Sequence, residues 1–212
     1  MALFGKNYDS VVVGEYQALP GGGYVCRIKK AKMTENSEGL PMIEVMADIA
    51  EGEFEGYFGK LYRDRMSSDP NAKYPYNGVL RITAVDAEGN TKKNFKSFCT
   101  AVEQSNDLTL PRHDEAFLKA LAGKLVGVLY QREEYEGNDG KNHWSTKPKW
   151  YRNVETIRSG KFQKPEDVPL PPTYGASFSE ADVSAMHDIF GADTTIEGVA
   201  DSFNAAEDDI PF

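Results

Sequence analysis

The sequence predicts a mainly β protein, a small closed or partly closed barrel of about five or six strands with one or two helices. Three observations support this fold class. Short stretches alternate between apolar and polar residues, turn-forming residues separate them, and no regular strand–helix–strand alternation runs through the chain. A change in charge then divides the chain into a body, residues 1–164, and an acidic tail, residues 165–212.

The first strands of the body form a predicted hairpin. The stretch Tyr24–Met33, "YVCRIKKAKM", has extended character and follows three glycines. After a polar loop, "PMIEVMADIAEG" places four apolar residues on one face and a mixed set on the other. The first set is Ile43, Val45, Ala47 and Ile49, and the second is Met42, Glu44, Met46 and Asp48. The segment Gly56–Arg65, "GYFGKLYRDR", is predicted to be a third strand, and a polar segment with two prolines and two tyrosines follows it.

The second half of the body adds helices and further strands. In "NFKSFCTAVEQSN" the apolar residues recur at helical spacing, which predicts an amphipathic helix. These residues are Phe95, Phe98, Cys99 and Val102. The stretch "DEAFLKALAGK" predicts a second short helix that ends at Gly123. Strands are predicted in "LVGVLYQREEY" and "HWSTKPKWYRNVETI", joined by a loop in which Asp139 and Gly140 supply the hairpin turn. The type of "VLRITAVDAEGNT", strand or helix, stays open.

The charge of the tail differs sharply from that of the body. Residues 1–164 contain all 24 Lys and Arg and 22 of the 33 acids, a net charge of +2. Residues 165–212 contain 11 acids and no Lys or Arg, a net charge of −11. The tail begins with a proline-containing linker and is predicted to be disordered, apart from a short amphipathic helix at Phe178–Phe190. An acidic tail of this kind serves solubility, autoinhibition or partner contact.

Composition excludes a membrane span and predicts a cytoplasmic protein. No stretch approaches the ~20 apolar residues that a spanning helix needs. The N-terminus lacks the basic lead and the apolar core of a signal peptide. Cys26 and Cys99 are therefore expected to be reduced, buried thiols, with a disulfide as the alternative.

Motifs for catalysis and for metal binding are missing from the sequence. It contains no CxxC, HExxH, phosphate-binding glycine loop or GxSxG, so no catalytic residue, cofactor or metal ligand is predicted. One alternative concerns Asp139-Gly140-Lys141, which matches a short D-x-K element of metal-dependent nucleases. The other interpretation of this element is a turn that uses Asp-Gly for its backbone angles.

Aromatic residues are interleaved with basic residues in three places. This pairing suits single-stranded nucleic acid, because aromatic faces stack on bases at ~1–3 kcal/mol each while cations follow the phosphates. The candidate residues are Arg27 and Lys29 in the first hairpin; Tyr57, Phe58, Lys60, Tyr62, Arg63 and Arg65; Lys73, Tyr74 and Tyr76; and Trp144, Lys147, Lys149, Trp150 and Arg152. Each aromatic residue has a core position in the predicted strands as its alternative role.

The last five residues, Asp208-Asp209-Ile210-Pro211-Phe212, closely resemble the C-terminal tip of bacterial single-stranded DNA-binding proteins. In that family an oligonucleotide-binding (OB) barrel precedes a flexible acidic linker whose tip binds replication, recombination and repair proteins. The resemblance implies that Ile210, Pro211 and Phe212 fill an apolar pocket on a partner. The carboxylates of Asp208 and Asp209 would then meet Arg or Lys.

The body is similar to a different group, the single-stranded DNA-binding proteins encoded by phages and prophages of Gram-positive hosts. The likeness runs from about Leu19 to about Phe162 and includes "LPGGGYVCRIKKAK", "PMIEVMADIAEGEFEGYF", "FKSFCTAVEQSN" and "KLVGVLYQREEYEGNDGK". It implies an OB-like fold used in phage DNA replication or recombination, in the cytoplasm of the bacterial host.

The combined expectation is a non-catalytic protein that coats single-stranded DNA with little sequence preference. Its tip would recruit a helicase, polymerase, recombinase or recombination mediator, and the protein could form a homo-oligomer. Two alternatives remain at this point, a recombination nuclease and a protein adaptor that does not touch DNA. The sequence gives no DNA site size, no preference between DNA and RNA, and no oligomeric state.

Overall fold

The computed structural model describes residues 17–171, and these form five β-strands and four α-helices. In chain order they are β1 (Gly22–Glu35), β2 (Pro41–Ile49), α1 (Tyr57–Ser68), β3 (Val79–Thr83), α2 (Lys93–Asn106), α3 (Asp114–Leu121), β4 (Leu125–Glu136), β5 (Asn142–Arg152) and α4 (Val154–Arg158). A 3-10 turn, Tyr76–Gly78, precedes β3. The protein is thus mainly β, as the sequence predicts.

The five strands form one antiparallel sheet in the order β3-β2-β1-β4-β5. The sub-order β4-β1-β2-β3 is that of a Greek key, and a five-stranded Greek-key sheet is the framework of the OB fold. Within the described residues no backbone ladder joins β3 to β5, so hydrogen bonding does not close the expected barrel.

The core lies on one face of the sheet, called here the inner face. Helices α1, α2 and α3 contribute Phe58, Phe98, Val102, Phe117 and Leu121 to it. The strands contribute Cys26, Ile28, Val45, Ala47, Leu80, Ile82, Val126, Val128, Tyr130 and Tyr151. The predicted apolar face of β2 and the predicted helices α2 and α3 are confirmed, because the periodic apolar residues in each pack into this core.

Two irregularities in strand pairing change which side chains face outward. In β1 the register shifts between Ile28 and Lys30, so Lys29 is an extra residue. In β5 the register pairs Tyr130 with Pro148 and then Leu129 with Trp150, so Lys149 is an extra residue. A β-bulge of this kind reverses the alternation of inward and outward positions beyond it.

The predicted third strand at Gly56–Arg65 is wrong, because this segment forms α1. The first turn of the helix is fixed by Asp48, whose carboxylate accepts hydrogen bonds from the amides of Phe58 (3.0 Å) and Gly59 (3.1 Å). A carboxylate at a helix N-terminus satisfies donors that have no partner within the helix and meets the positive end of the dipole. A Cβ on residue 59 would lie 2.6 Å from Oδ2 of Asp48, so this approach requires glycine. The sequence places Asp48 on the mixed face of β2. It does not show that the Asp48 side chain is buried.

The segment predicted as one strand at residues 143–157 divides into two elements. Strand β5 ends at Arg152, and α4 follows at once. The side chain of Asn153 accepts a hydrogen bond from the amide of Thr156 (2.8 Å), which caps the new helix. The ambiguous stretch "VLRITAVDAEGNT" contains a strand, β3.

The residues after α4 return along β4. Val168 bridges Glu133 in a parallel sense, and its amide donates to the carbonyl oxygen of Arg132 (2.9 Å). Arg132 also contacts the Asp167 carboxylate (2.9 Å). One compact unit therefore extends to Leu170, six residues beyond the predicted end of the body. The tail helix predicted at Phe178–Phe190 and the predicted disorder lie outside the described residues.

Both cysteines are free and buried, as predicted. Burial raises the pKa of the Cys26 thiol to about 12 and that of the Cys99 thiol to about 11, so both are protonated near neutral pH. No helix within residues 17–171 has the length and apolar character needed to cross a membrane.

Candidate nucleic-acid interface

The outer face of the sheet carries a row of charged and aromatic side chains across β1, β2 and β3, called here the first row. Lys32, Glu44 and Arg81 are direct cross-strand neighbours and therefore share a face. The Glu44 carboxylate contacts Lys32 Nζ at 2.8 Å and Arg81 Nε at 3.1 Å. The Arg81 guanidinium lies 4.0 Å from the ring centroid of Tyr76, whose side chain is 66% exposed.

A second row lies on the outer face of β4 and β5. Its centre is Glu133, which contacts Lys147 (2.9 Å) and Lys149. Trp150 and Arg152 lie on the same face as Lys147. An odd number of positions separates them from Lys147, and the bulge at Lys149 compensates for it by reversing the alternation. Trp150 is 41% exposed, so one part of its ring system is available to a ligand.

A side-chain hydrogen bond joins the two rows across the open edges of the sheet. The amide of Asn77, next to Tyr76, donates to the hydroxyl of Ser145 (3.2 Å). Ser145 is the cross-strand neighbour of Glu133 and so belongs to the second row. The first and second rows therefore form one continuous surface, although β3 and β5 do not pair through their backbones.

The two central glutamates are both ionised and held by cations. The hydrogen bond from Lys32, together with Arg81, holds the pKa of the Glu44 carboxyl below its ordinary value. The hydrogen bond from Lys149, with a further one from Lys147, does the same to the pKa of Glu133. Each row thus presents several donors around one carboxylate, and a phosphate that enters must compete with that carboxylate for the same donors.

Trp144 lies on the opposite face of β5 from Trp150. Its ring packs under the Arg132 guanidinium, 4.7 Å from the ring centroid, and Arg132 also contacts Asp167. The sequence cluster "HWSTKPKWYR" therefore does not form one surface. Lys147, Lys149, Trp150 and Arg152 come together on the outer face, and Trp144 is separate from them.

The predicted cluster in α1 divides between core and surface. Phe58 is 1% exposed and packs against Tyr130, so the prediction that it stacks on a base is wrong. Tyr57 and Tyr62 are half-buried, and Tyr62 packs against Tyr74. The basic side chains of this region are exposed, namely Lys60, Arg63, Arg65 and Lys73.

Tyr74 and Tyr76 also separate, although they are two positions apart. The hydroxyl of Tyr74 donates to the carbonyl oxygen of Ala47 (2.9 Å), and burial raises the pKa of Tyr74. Tyr76 instead points outward over Arg81. In β1, Arg27 and Lys29 are both exposed, and Arg27 donates to the carbonyl oxygen of Gly123 (3.2 Å).

Sequence reasoning missed several residues of the two rows. The sequence candidates do not include Lys32, Glu44, Asn77, Arg81 or Glu133. The alternation in "VLRIT" would have placed Arg81 on the outer face if the segment had been assigned as a strand. The roles of the glutamates depend on cross-strand register, which a single sequence does not provide.

The hairpin loop between β4 and β5 fits a turn better than a catalytic element. The Asp139 carboxylate accepts from the amide of Lys141 (3.2 Å) and contacts His143 (2.9 Å), and Gly140 has φ of 68°. Among residues 17–171 no group of three or more His, Cys, Asp or Glu could hold a metal ion. The candidate partner-binding tip, Asp208–Phe212, lies outside the described residues.

The fold and the two rows define a mainly β protein with a basic and aromatic outer surface. A family model matches residues 6–171 of the 212 residues. The chain therefore belongs to the family described as Protein of unknown function (DUF669). A comparison with curated proteins finds no match.

Proposed function

We propose that the protein binds single-stranded DNA with little sequence preference and coats it during phage DNA replication or recombination. The observation that carries this proposal is the continuous outer surface of the two rows. It presents Tyr76 and Trp150 beside the cations Lys32, Arg81, Lys147 and Lys149. Exposed aromatic faces beside cations are the groups that bind single strands without reading sequence.

The position of the surface on the fold supports the same function. An OB fold uses the outer surface of its second and third strands, with the adjacent loops, to bind oligonucleotides. Glu44 and Arg81 of the first row lie on β2 and β3. The second row then extends this surface over β4 and β5, which gives a strand a longer path.

The tail supplies the second part of the proposal, the recruitment of partner proteins. The tip resembles that of bacterial single-stranded DNA-binding proteins, and its Ile210 and Phe212 suit an apolar pocket rimmed by basic side chains. The partners would be replication or recombination proteins, and the site of action would be the cytoplasm of the bacterial host. The negative charge of the tail would also compete with DNA for the basic surface.

A titration of the full chain with oligo-dT tests the DNA-binding proposal. Binding is measured by fluorescence anisotropy of a labelled strand and by quenching of tryptophan fluorescence, at two salt concentrations. We expect binding that weakens as salt rises, because phosphate contacts release counterions. If neither anisotropy nor fluorescence changes at low salt, the proposal fails and a DNA-independent adaptor is the better description.

A matched pair of variants locates the binding surface. Lys147→Ala should weaken binding and reduce the slope of log K against log salt by about one unit. Lys119→Ala is the control, because Lys119 also pairs with a glutamate, Glu115 (2.7 Å), but belongs to α3 and not to the rows. An equal loss in both variants would show that the effect is general charge and not this surface.

A further inference from the structure

The outer face of the second row contains a cleft of about 320 Å³. One wall is the sheet, and the other is the chain that follows α4. The lining residues are Leu129, Gln131, Trp150, Arg152, Gln163, Lys164, Pro165 and Glu166. The recess therefore lies over the β4 and β5 residues of the second row.

Packing against the sheet fixes the outer wall in place. The ring of Phe162 occupies the space above Gly23, where an added Cβ would lie 2.5 Å from Cζ of the ring. Gln131 Nε2 donates to the carbonyl oxygen of Glu166 (3.0 Å), and Val168 bridges Glu133 just beyond. The wall is therefore tied to the sheet on both sides of residues 163–165.

The lining combines three kinds of group that a nucleotide requires. Trp150 presents an aromatic face, and Leu129 beside it is buried and apolar. Arg152 and Lys164 are exposed cations that can meet a phosphate. Gln163 adds an amide, which can both donate to and accept from a base edge.

The size of the cleft limits what it can hold. A volume of about 320 Å³ is near the lower limit for small-molecule sites, so it suits one nucleotide and not a folded segment. The lining contains two cations, Arg152 and Lys164, and a single acid, Glu166. Charge therefore favours an anionic ligand with a flat, apolar part.

We propose that this cleft receives one nucleotide of the bound single strand, with its base on Trp150 and its phosphate against Arg152 and Lys164. This inference rests on the proposed function and assigns part of its path. The strand lies along the two rows, and at the cleft one base turns toward the sheet. The residues just before the tail thus contribute directly to the DNA site.

Photocrosslinking of the full chain tests the cleft directly. An oligo-dT that contains a single 5-iodo-deoxyuridine is bound, irradiated and digested, and the crosslinked residue is identified by mass spectrometry. We expect Trp150 among the crosslinked residues. If the oligonucleotide binds but crosslinks exclude Trp150, the cleft proposal is overturned and the proposed function stands. If the oligonucleotide does not bind, the proposed function itself fails.

Two charge reversals provide the matched comparison. Lys164→Glu should lower the crosslink yield at Trp150 by about fivefold or more, since it places a carboxylate where the phosphate is expected. Lys161→Glu makes the same change on an exposed lysine that does not line the cleft, and should leave the yield at Trp150 unchanged. Equal yields for the two variants would overturn the assignment of the phosphate position.

A competition experiment separates a strand from a free nucleotide. Thymidine 5′-monophosphate is added at the same nucleotide concentration as the oligonucleotide. We expect the crosslink at Trp150 to persist, because the strand is also held along both rows. Loss of the crosslink at equal concentration would overturn the proposal, since the cleft would then be a site for free nucleotides.

Discussion

The two rows of the outer face share an arrangement of charges, and the second row also has a wall beside it. Each has a glutamate between two cations and an exposed aromatic residue nearby, with Glu44 and Tyr76 in the first and Glu133 and Trp150 in the second. In the first row the side chains of Lys32 and Tyr76 are largely exposed, whereas the second row has a wall made by residues 163–166. An exposed row suits contacts along a nucleic-acid backbone, and a recess suits the enclosure of a single base.

Two glycines explain why the chain after β5 packs closely beside the second row. On the outer face of β1 and β4, Gly23 lies under Phe162 and Gly127 lies under Ile157 of α4. Because neither glycine has a side chain, the chain after β5 packs directly on the sheet at these points. The cross-strand positions of the first row carry Lys32, Glu44 and Arg81 in place of glycine.

The largest expected effect comes from Gly127. A methyl group there would lie 2.5 Å from Cγ1 of Ile157 and 2.8 Å from the carbonyl oxygen of Arg152, and the backbone contact cannot be relieved by a rotamer change. We expect Gly127→Ala to lower the free energy of unfolding by about 2 kcal/mol in chemical denaturation. Gly22→Ala is the control, because its methyl group would meet nothing closer than 4.0 Å. Equal stabilities for the two variants would contradict the packing argument.

An effect of similar size, on DNA binding instead of stability, separates the two rows by their aromatic residues. Trp150→Ala should weaken oligo-dT binding by about 2 kcal/mol, roughly thirtyfold in Kd, since the recess holds the base on a large ring. Tyr76→Ala on the exposed first row should cost about 1 kcal/mol, roughly fivefold. Trp144→Ala tests the opposite face of β5. A loss of DNA affinity as large as that of Trp150→Ala would contradict the assignment of the DNA site to the outer face. Anisotropy titrations measure all three.

Truncation distinguishes the wall from the rest of the tail. Removal of residues 171–212 takes away 9 of the 11 acids of the tail and should tighten DNA binding by about tenfold at low salt. Removal of residues 165–212 should also tighten binding, but it deletes part of the wall and should reduce crosslinking to Trp150. Unchanged affinity in the first truncation would remove the case for competition between tail and DNA.

The smallest effect concerns the glutamates. Glu133→Gln and Glu44→Gln each release two cations to the phosphates, and we expect about threefold tighter binding at low salt. Both carboxyls have a pKa below the ordinary 4.5, so they stay ionised throughout the neutral range and these ion pairs persist there. Their contribution to stability is present above the unfolded pKa and is lost as the pH falls through the folded pKa. Affinity in the two variants equal to that of the parent chain would show that the cations are already available.

Periodicity was sufficient to predict most of the fold. The alternation in β2 and the helical spacing in α2 both follow from burial of one face, and both are confirmed. The helix α1 was missed because Tyr57, Phe58 and Tyr62 favour strands, while the group that fixes its first turn, Asp48, lies about ten positions earlier. The secondary-structure propensity of a segment does not reveal a hydrogen-bond partner that lies on another strand or helix.

The candidate site was predictable in composition but not in arrangement. The cluster around Trp150 was found because aromatic and basic residues alternate there. The bulge at Lys149, which puts Trp144 and Trp150 on opposite faces, is visible in the strand register and not in the residue pattern. For the same reason the pairing of Arg81 with Glu44 could not be derived from residues 37 positions apart.

The contact between Asp48 and α1 affects local unfolding at the start of this helix. The first turn of a helix normally frays, so its amide protons exchange quickly with solvent. Here the amides of Phe58 and Gly59 are bound to a buried side chain at the end of a central strand. Their exchange should therefore require the helix and the strand to separate, which makes the start of α1 part of the most slowly exchanging region of the protein.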